Sequence, residues 1–151
     1  TGVMNNPIVY RSDYNFEIGK AVSLKEGKDV AIIATGTMVA ESIKAGKILD
    51  EFGISAAVID MHTIKPLDVV AIDKVCASTK LIVTVEEHSI IGGLGSAVAE
   101  YIVNKNTRVP QLMIGINDFF PYAGDYRYLL EQCGLTAPQI AEKIKEKYNL
   151  L

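Results

Sequence analysis

The chain has 151 residues and a net charge of −3, with Lys, Arg, Asp and Glu interspersed. That suits one domain with a substantial core and leaves no basic tract to follow a nucleic-acid backbone or an anionic membrane. Cys76 and Cys133 stand in no Cys-x-x-Cys and near no pair of histidines. This argues against a metal site or a disulfide framework and points to a reducing compartment, the cytoplasm. No apolar run reaches the ~18 residues of a membrane span and no secretory signal opens the chain, while a start at Thr1 points to a piece of a longer protein.

Residues 1–18 hold Pro7, aromatics and scattered polar groups without helical period, and read as a linker or a segment arriving from a preceding domain; the domain proper is expected over 19–151. Lys20 to Leu24 is a short strand, closed by the turn residues Glu26-Gly27-Lys28-Asp29. Val30 to Ala34 is a continuous apolar run, which predicts a strand buried on both faces, and it ends in Thr35-Gly36-Thr37. Thr37 is placed to cap a helix whose apolar positions Val39, Ile43, Leu49 and Phe52 form a stripe. Glu41, Lys44, Lys47 and Asp50 then face water, and Gly53 closes the helix. The unit repeats with a strand over Ile54 to Met61, a turn over Thr63 to Pro66, and a helix opened by Asp68 and carried by Val69, Ile72, Val75 and Cys76.

Leu81 to Val85 predicts another doubly buried strand, ending in a polar corner of Glu86, Glu87 and His88. Gly92, Gly93 and Gly95 then allow a close turn before Ala97, Val98, Tyr101 and Ile102 resume at helical spacing. The spacing Gly92-Gly93-x-Gly95 is neither the dinucleotide pattern nor a P-loop. Leu112 to Ile116 gives a further strand. After it come the aromatics Phe119, Phe120, Tyr122, Tyr126 and Tyr128, which either cover a sheet edge or anchor a protein interface. A short helix runs through Leu129 and Leu130 to Gly134. Thr136 and Gln139 form a capping box, and Ile140, Ile144 and Tyr148 stripe the last helix. Strands alternating with amphipathic helices predict an α/β fold with a largely parallel sheet covered on both faces.

His62 and His88 are the two histidines, the side-chain type suited to proton transfer near neutral pH, and each falls at a predicted strand end. No Ser lies in Gly-x-Ser-x-Gly, neither cysteine has a nucleophile's flanking residues, and no carboxylates have metal-ligand spacing. The residues by themselves therefore offer no catalytic constellation.

Asp13 to Ala21, Asp29 to Thr37, Ile59 to Asp68, Val83 to Glu100 and Gly134-Leu135-Thr136 resemble, in order, the C-terminal domain of transketolases, with the nearest likeness to the C-terminal section of a transketolase made as two chains. The Ile64-Lys65-Pro66-Leu67-Asp68 and Glu86 to Ser96 blocks are also similar to 1-deoxyxylulose 5-phosphate synthase and to the beta subunit of 2-oxo-acid dehydrogenases. The Phe16 to Lys20 block and His88 favour transketolase. The resemblance implies a three-layer α/β/α sandwich on a five-stranded mixed sheet of order 1-3-2-4-5 with strand 1 antiparallel. It implies a complete enzyme that moves a two-carbon ketol unit between sugar phosphates with thiamine diphosphate and a divalent cation. It also implies partners: the N-terminal and pyrimidine domains, on the same or a separate chain, within a homo-oligomer such as a dimer. The family's diphosphate-and-metal block is missing from this sequence, so no catalytic, cofactor-binding or metal-binding residue carries over, and the chain alone is expected to bind no cofactor and to be inactive. A free-standing small-molecule binding module is the competing reading from another class.

With that strand order, the topological switch falls between the second and fourth strands, which places a crevice between Thr35, Gly36 and Thr37 on one side and Glu86, Glu87 and His88 on the other. The two histidines, two strand spacings or ~10 Å apart, do not form a direct pair. The turn amides around Gly92, Gly93 and Gly95 favour an anion there, whereas the two glutamates oppose one and favour packing against a neighbouring domain. Phe119, Phe120, Tyr122 and Tyr126 are the candidate contact with another domain or subunit.

Overall fold

The computed structural model describes residues 7–10, 12–105, 107–120 and 122–151. The elements follow in chain order as β1 (Val22–Lys25), β2 (Val30–Ala34), α1 (Met38–Glu51), β3 (Ala56–Asp60), α2 (Val69–Ser78), β4 (Leu81–Ser89), α3 (Leu94–Val103), β5 (Gln111–Ile116), α4 (Tyr126–Cys133) and α5 (Ala137–Tyr148). One sheet of five strands has the order β1-β3-β2-β4-β5; β1 runs antiparallel to β3 and the other pairs are parallel. This is the sandwich and the strand order that the resemblance implies.

The apolar runs lack polar alternation because successive side chains of a strand enter two different cores. Val30, Ile32 and Ala34 of β2, with Val83 and Val85 of β4, pack against α1, α4 and α5 through Met38, Leu49, Cys133, Ile140 and Ile144. Ala31, Ile33 and Ile82 face the other way, onto Ile72 and Val75 of α2 and Leu94 and Val98 of α3. Burying such side chains contributes about 1.5–3 kcal/mol each, which sets the register of the central strands.

Local chemistry fixes the helix ends. Asp68 caps α2, accepting from the Val70 and Ala71 amides at 3.1 Å each, and its other oxygen accepts from the Ala21 amide at 2.9 Å, which ties the approach to β1 to the same corner. Gly134 ends α4 in the left-handed conformation (φ 68°), and Gln139 reaches back to the Thr136 amide at the start of α5.

Four local expectations are corrected. Thr37 sits at the N-cap position of α1 in a helical conformation, and its hydroxyl makes no cap. Phe52 is 56% exposed and leaves the core stripe, lying instead under the Lys145 ammonium at 4.4 Å. Glu41 turns from water to accept the Ala137 amide at 2.9 Å, so α1 caps α5. The polar corner after Val85 is not a corner: β4 continues through Glu86, Glu87 and His88 to Ser89, with a bulge relative to β5 between Val85 and Ser89. The aromatic stretch is described except for Pro121, which lies outside the described residues.

Candidate functional site

Ala34 of β2 lies level with Val85 of β4, so the two chains leave the sheet side by side. Between them opens a crevice of about 580 Å³, lined by Thr35, Gly36 and Thr37 on one wall, Glu86, Glu87, His88, Gly92 and Gly93 on the other, and Ile64 from the β3–α2 loop. The sequence places all of these at the crevice except Ile64; Gly95, named with them, is buried behind it in the first turn of α3. Ile64 belongs to the Ile59 to Asp68 block that carries the resemblance, but nothing in its local sequence marks it as a crevice residue.

The chemistry of the crevice turns on the two glutamates. Glu86 is only 2% exposed, and its carboxylate accepts from the Leu94 amide at 2.7 Å and the Gly95 amide at 2.8 Å. It thus occupies the positive end of α3, the place where an outside anion would bind. Gly93 makes this possible, because a Cβ there would fall inside van der Waals contact with the Glu86 carboxylate. The Ser96 hydroxyl accepts the Gly92 amide at 2.9 Å and the Ser89 hydroxyl accepts the Ile91 amide at 3.2 Å. The turn amides expected to hold an anion are therefore largely satisfied from within the chain.

Glu87 is exposed, and one of its oxygens accepts from both the Thr37 hydroxyl and the Tyr126 phenol, the latter at 2.7 Å. It joins the start of α1 to the start of α4 across the end of the sheet. Burial, and then the hydrogen bond to Glu87, pushes the Tyr126 phenol up from its ordinary value. Tyr126, expected at an interface, is thus a half-buried anchor, whereas Phe119, Phe120 and Tyr122 stand exposed.

The histidines are separate, as expected from the strand order. His88 is exposed, with Nδ1 3.0 Å from the Ser89 carbonyl. His62 lies in a different depression, on the β3 side of Gly36, where its ring is 4.6 Å from that of Phe16 and Nδ1 is 2.9 Å from the Thr63 hydroxyl. Beside it Tyr10 donates to Asp60 at 2.6 Å, and burial together with that carboxylate pushes the phenol up. The one hydroxyl at a histidine is that of the adjacent Thr63 on His62, His88 meets a backbone carbonyl, and among the described residues no group of three His, Cys, Asp or Glu is placed to hold a metal ion.

The comparisons with known proteins agree with this scaffold. Residues 19–140 match the family described as transketolase, C-terminal domain. The chain is 48% identical over 142 residues to a protein of Methanocaldococcus jannaschii assigned as a transketolase C-terminal section, covering 93% of this chain and 44% of that protein. It is 45% identical over 133 residues to 1-deoxy-D-xylulose-5-phosphate synthase of Chlorobium phaeovibrioides, covering 88% of this chain and 21% of the synthase. Among solved structures, a split-gene transketolase in the form of an inactive beta4 tetramer superposes with a TM-score of 0.86 at 42% identity, over 95% of this chain and 46% of that one. The chain thus spans less than half the length of these relatives, and over that span it belongs to the transketolase C-terminal domain family.

Proposed function

We infer that the chain is the C-terminal, non-catalytic section of a thiamine diphosphate-dependent transketolase, whose complete form transfers a two-carbon ketol unit between sugar phosphates. The observation that carries this reading is the 48% identity to a transketolase C-terminal section, joined to a crevice whose helix-start amides are already engaged by Glu86. That crevice does not fit the cofactor: a diphosphate would meet the Glu86 carboxylate on the α3 amides and Glu87 beside it, and no basic side chain lines the walls. No step of the reaction is therefore assigned to it. Thiamine diphosphate and its divalent cation are assigned to the other domains of the complete enzyme, and this section contributes to assembly. Residues 1–18 serve as the segment arriving from a preceding domain, a role supported by Tyr10 on Asp60 and Phe16 against His62.

The test is reconstitution. The chain and the remainder of the enzyme, produced as a separate polypeptide from the adjoining coding sequence, are assayed alone and mixed, with a ketose phosphate donor, an aldose phosphate acceptor, thiamine diphosphate and magnesium. Ketol transfer only in the mixture supports the reading; transfer by this chain alone overturns it. The 45% identity to the synthase favours one alternative: a mixture that forms 1-deoxy-D-xylulose 5-phosphate with loss of carbon dioxide would move the chain to that enzyme.

A further inference from the structure

Three successive loops at the carboxyl end of the sheet each push apolar side chains into water: Ile64 after β3, Ile91 after β4, and Phe119, Phe120 and Tyr122 after β5. Phe120 is fully exposed, Tyr122 is 80% exposed and Ile91 70%. The last two loops are joined, since the Ile90 amide donates to the Ile116 carbonyl at 3.1 Å, and the loop bearing the aromatics is pinned at its far end by Tyr126 on Glu87. These rings are therefore held outward on an anchored loop, and soluble monomers rarely expose a large apolar surface without a partner for it. Beside the patch lies the crevice, whose ionisable lining is Glu86, Glu87 and His88, with no Lys or Arg.

We propose that this apolar rim and the acidic crevice beside it form the docking face for the enzyme's other section, which brings to it an apolar surface carrying a Lys or Arg directed at Glu87. The proposal rests on the functional reading above and deepens it by naming the face and its chemistry. Two features of the molecule select that occupant. The chain spans less than half the length of the relatives that it matches, so the larger part of a complete enzyme remains to be placed against it. A second copy docked through the same face would bring two acidic crevices into one interface with no Lys or Arg from either lining, which like-charge repulsion disfavours, whereas a basic side chain complements the crevice. Arg is the better fit, because its planar fork can share the Glu87 carboxylate with the Thr37 and Tyr126 hydroxyls.

The experiment measures association of the chain with the separately produced remainder of the enzyme by sedimentation velocity at two salt concentrations, for the wild type, Phe120→Asp, Glu87→Gln and Val103→Asp. Val103 is 78% exposed at the far end of α3 and serves as the control, and circular dichroism checks that every variant folds. The expected result is a loss of affinity of about tenfold or more for Phe120→Asp, a severalfold loss with a flatter salt dependence for Glu87→Gln, and no change for Val103→Asp. Wild-type association that neither Phe120→Asp nor Glu87→Gln alters overturns this face and leaves the functional reading intact. Absence of any wild-type complex overturns the functional reading itself. Self-association of the chain, abolished by Phe120→Asp, overturns the proposal in favour of a second copy, and loss with Phe120→Asp but not Glu87→Gln overturns the basic side chain.

Discussion

The crevice between β2 and β4 and the rim of Ile91, Phe119, Phe120 and Tyr122 stand at the same end of one sheet, and they differ in what each leaves open. The crevice has the position, the glycine turn and the helix N-terminus of a ligand site, yet its amides are engaged by Glu86 and the Ser89 and Ser96 hydroxyls, and its Glu87 carboxylate by Thr37 and Tyr126. The rim has no polar feature that a motif search would notice, and its apolar side chains stand exposed. The difference teaches that a position favoured by topology becomes a binding site only if its donors remain free. Here a buried carboxylate from the chain itself takes the place that a phosphate takes elsewhere.

The largest effect expected from breaking this contrast is at Gly93. Alanine there drives a methyl group into the Glu86 carboxylate, and relieving the clash either shifts the start of α3 or expels the charge. Gly93→Ala and Glu86→Ala should each cost about 2–4 kcal/mol, since two charge-assisted hydrogen bonds are lost and buried amides are left unpaired. For a domain of this size that is a fall in Tm of about 5–15 °C by calorimetry. A Tm within about 2 °C of the wild type would mean that Glu86 does not hold α3. At the rim, by contrast, Phe120→Asp should move stability by no more than about 0.5 kcal/mol while weakening assembly, because the ring is fully exposed.

A smaller effect is expected away from the crevice, from the carboxylates of Asp29 and Asp68 that hold the rest of the scaffold. Backbone donation from Ser55, then Tyr148 and Lys80, holds the Asp29 carboxyl below its ordinary value, although burial opposes them. Burial is the largest influence on Asp68 and pushes it up, but the amides of Ala21, Ala71 and Val70 and the charge of Lys20 together outweigh it and hold it down. Carboxyls depressed on folding contribute stability that is fully present above their unfolded value and is lost as pH falls through the folded one. Denaturant unfolding should therefore show a stability that is level near neutrality and drops below about pH 4. Asp68→Asn should cost about 1–3 kcal/mol at pH 7 and flatten that drop; an unchanged acid limb would contradict the assignment. The smallest effect is spectroscopic: Glu87→Gln should move the Tyr126 phenol back toward its ordinary titration range, read from tyrosinate absorbance or NMR, with burial keeping part of the upward displacement.

Much of this architecture is legible in the residues. The runs at Val30–Ala34 and Leu81–Val85 declare strands buried on both faces, and Asp68, Gly134 and Gln139 declare helix ends through local chemistry that the structure repeats. The strand order came from the resemblance, since periodicity alone does not say which strand pairs with which. What escaped depends on distant parts of the chain. Glu86 reads as the end of a strand because polarity begins there, and its burial follows from where α3 starts in space. Thr37 has the local form of a helix cap, yet its hydroxyl serves Glu87, which lies fifty positions on. Glu41 reads as a solvated residue until α5 arrives above it with the Ala137 amide. Phe52 leaves its stripe because the helix ends beneath it and Lys145 covers the ring.

The central claim is that the crevice is closed to anions, because the Glu86 carboxylate already holds the amides at the start of α3. The direct test is amide NMR of the isolated chain during titration with inorganic phosphate, a sugar phosphate, and thiamine diphosphate with magnesium. The account predicts that the resonances of Gly36, His88 and Gly93 stay in place at millimolar concentrations of each. A saturating shift of these three, with Leu94 and Gly95 moving alongside as Glu86 is displaced, would contradict it.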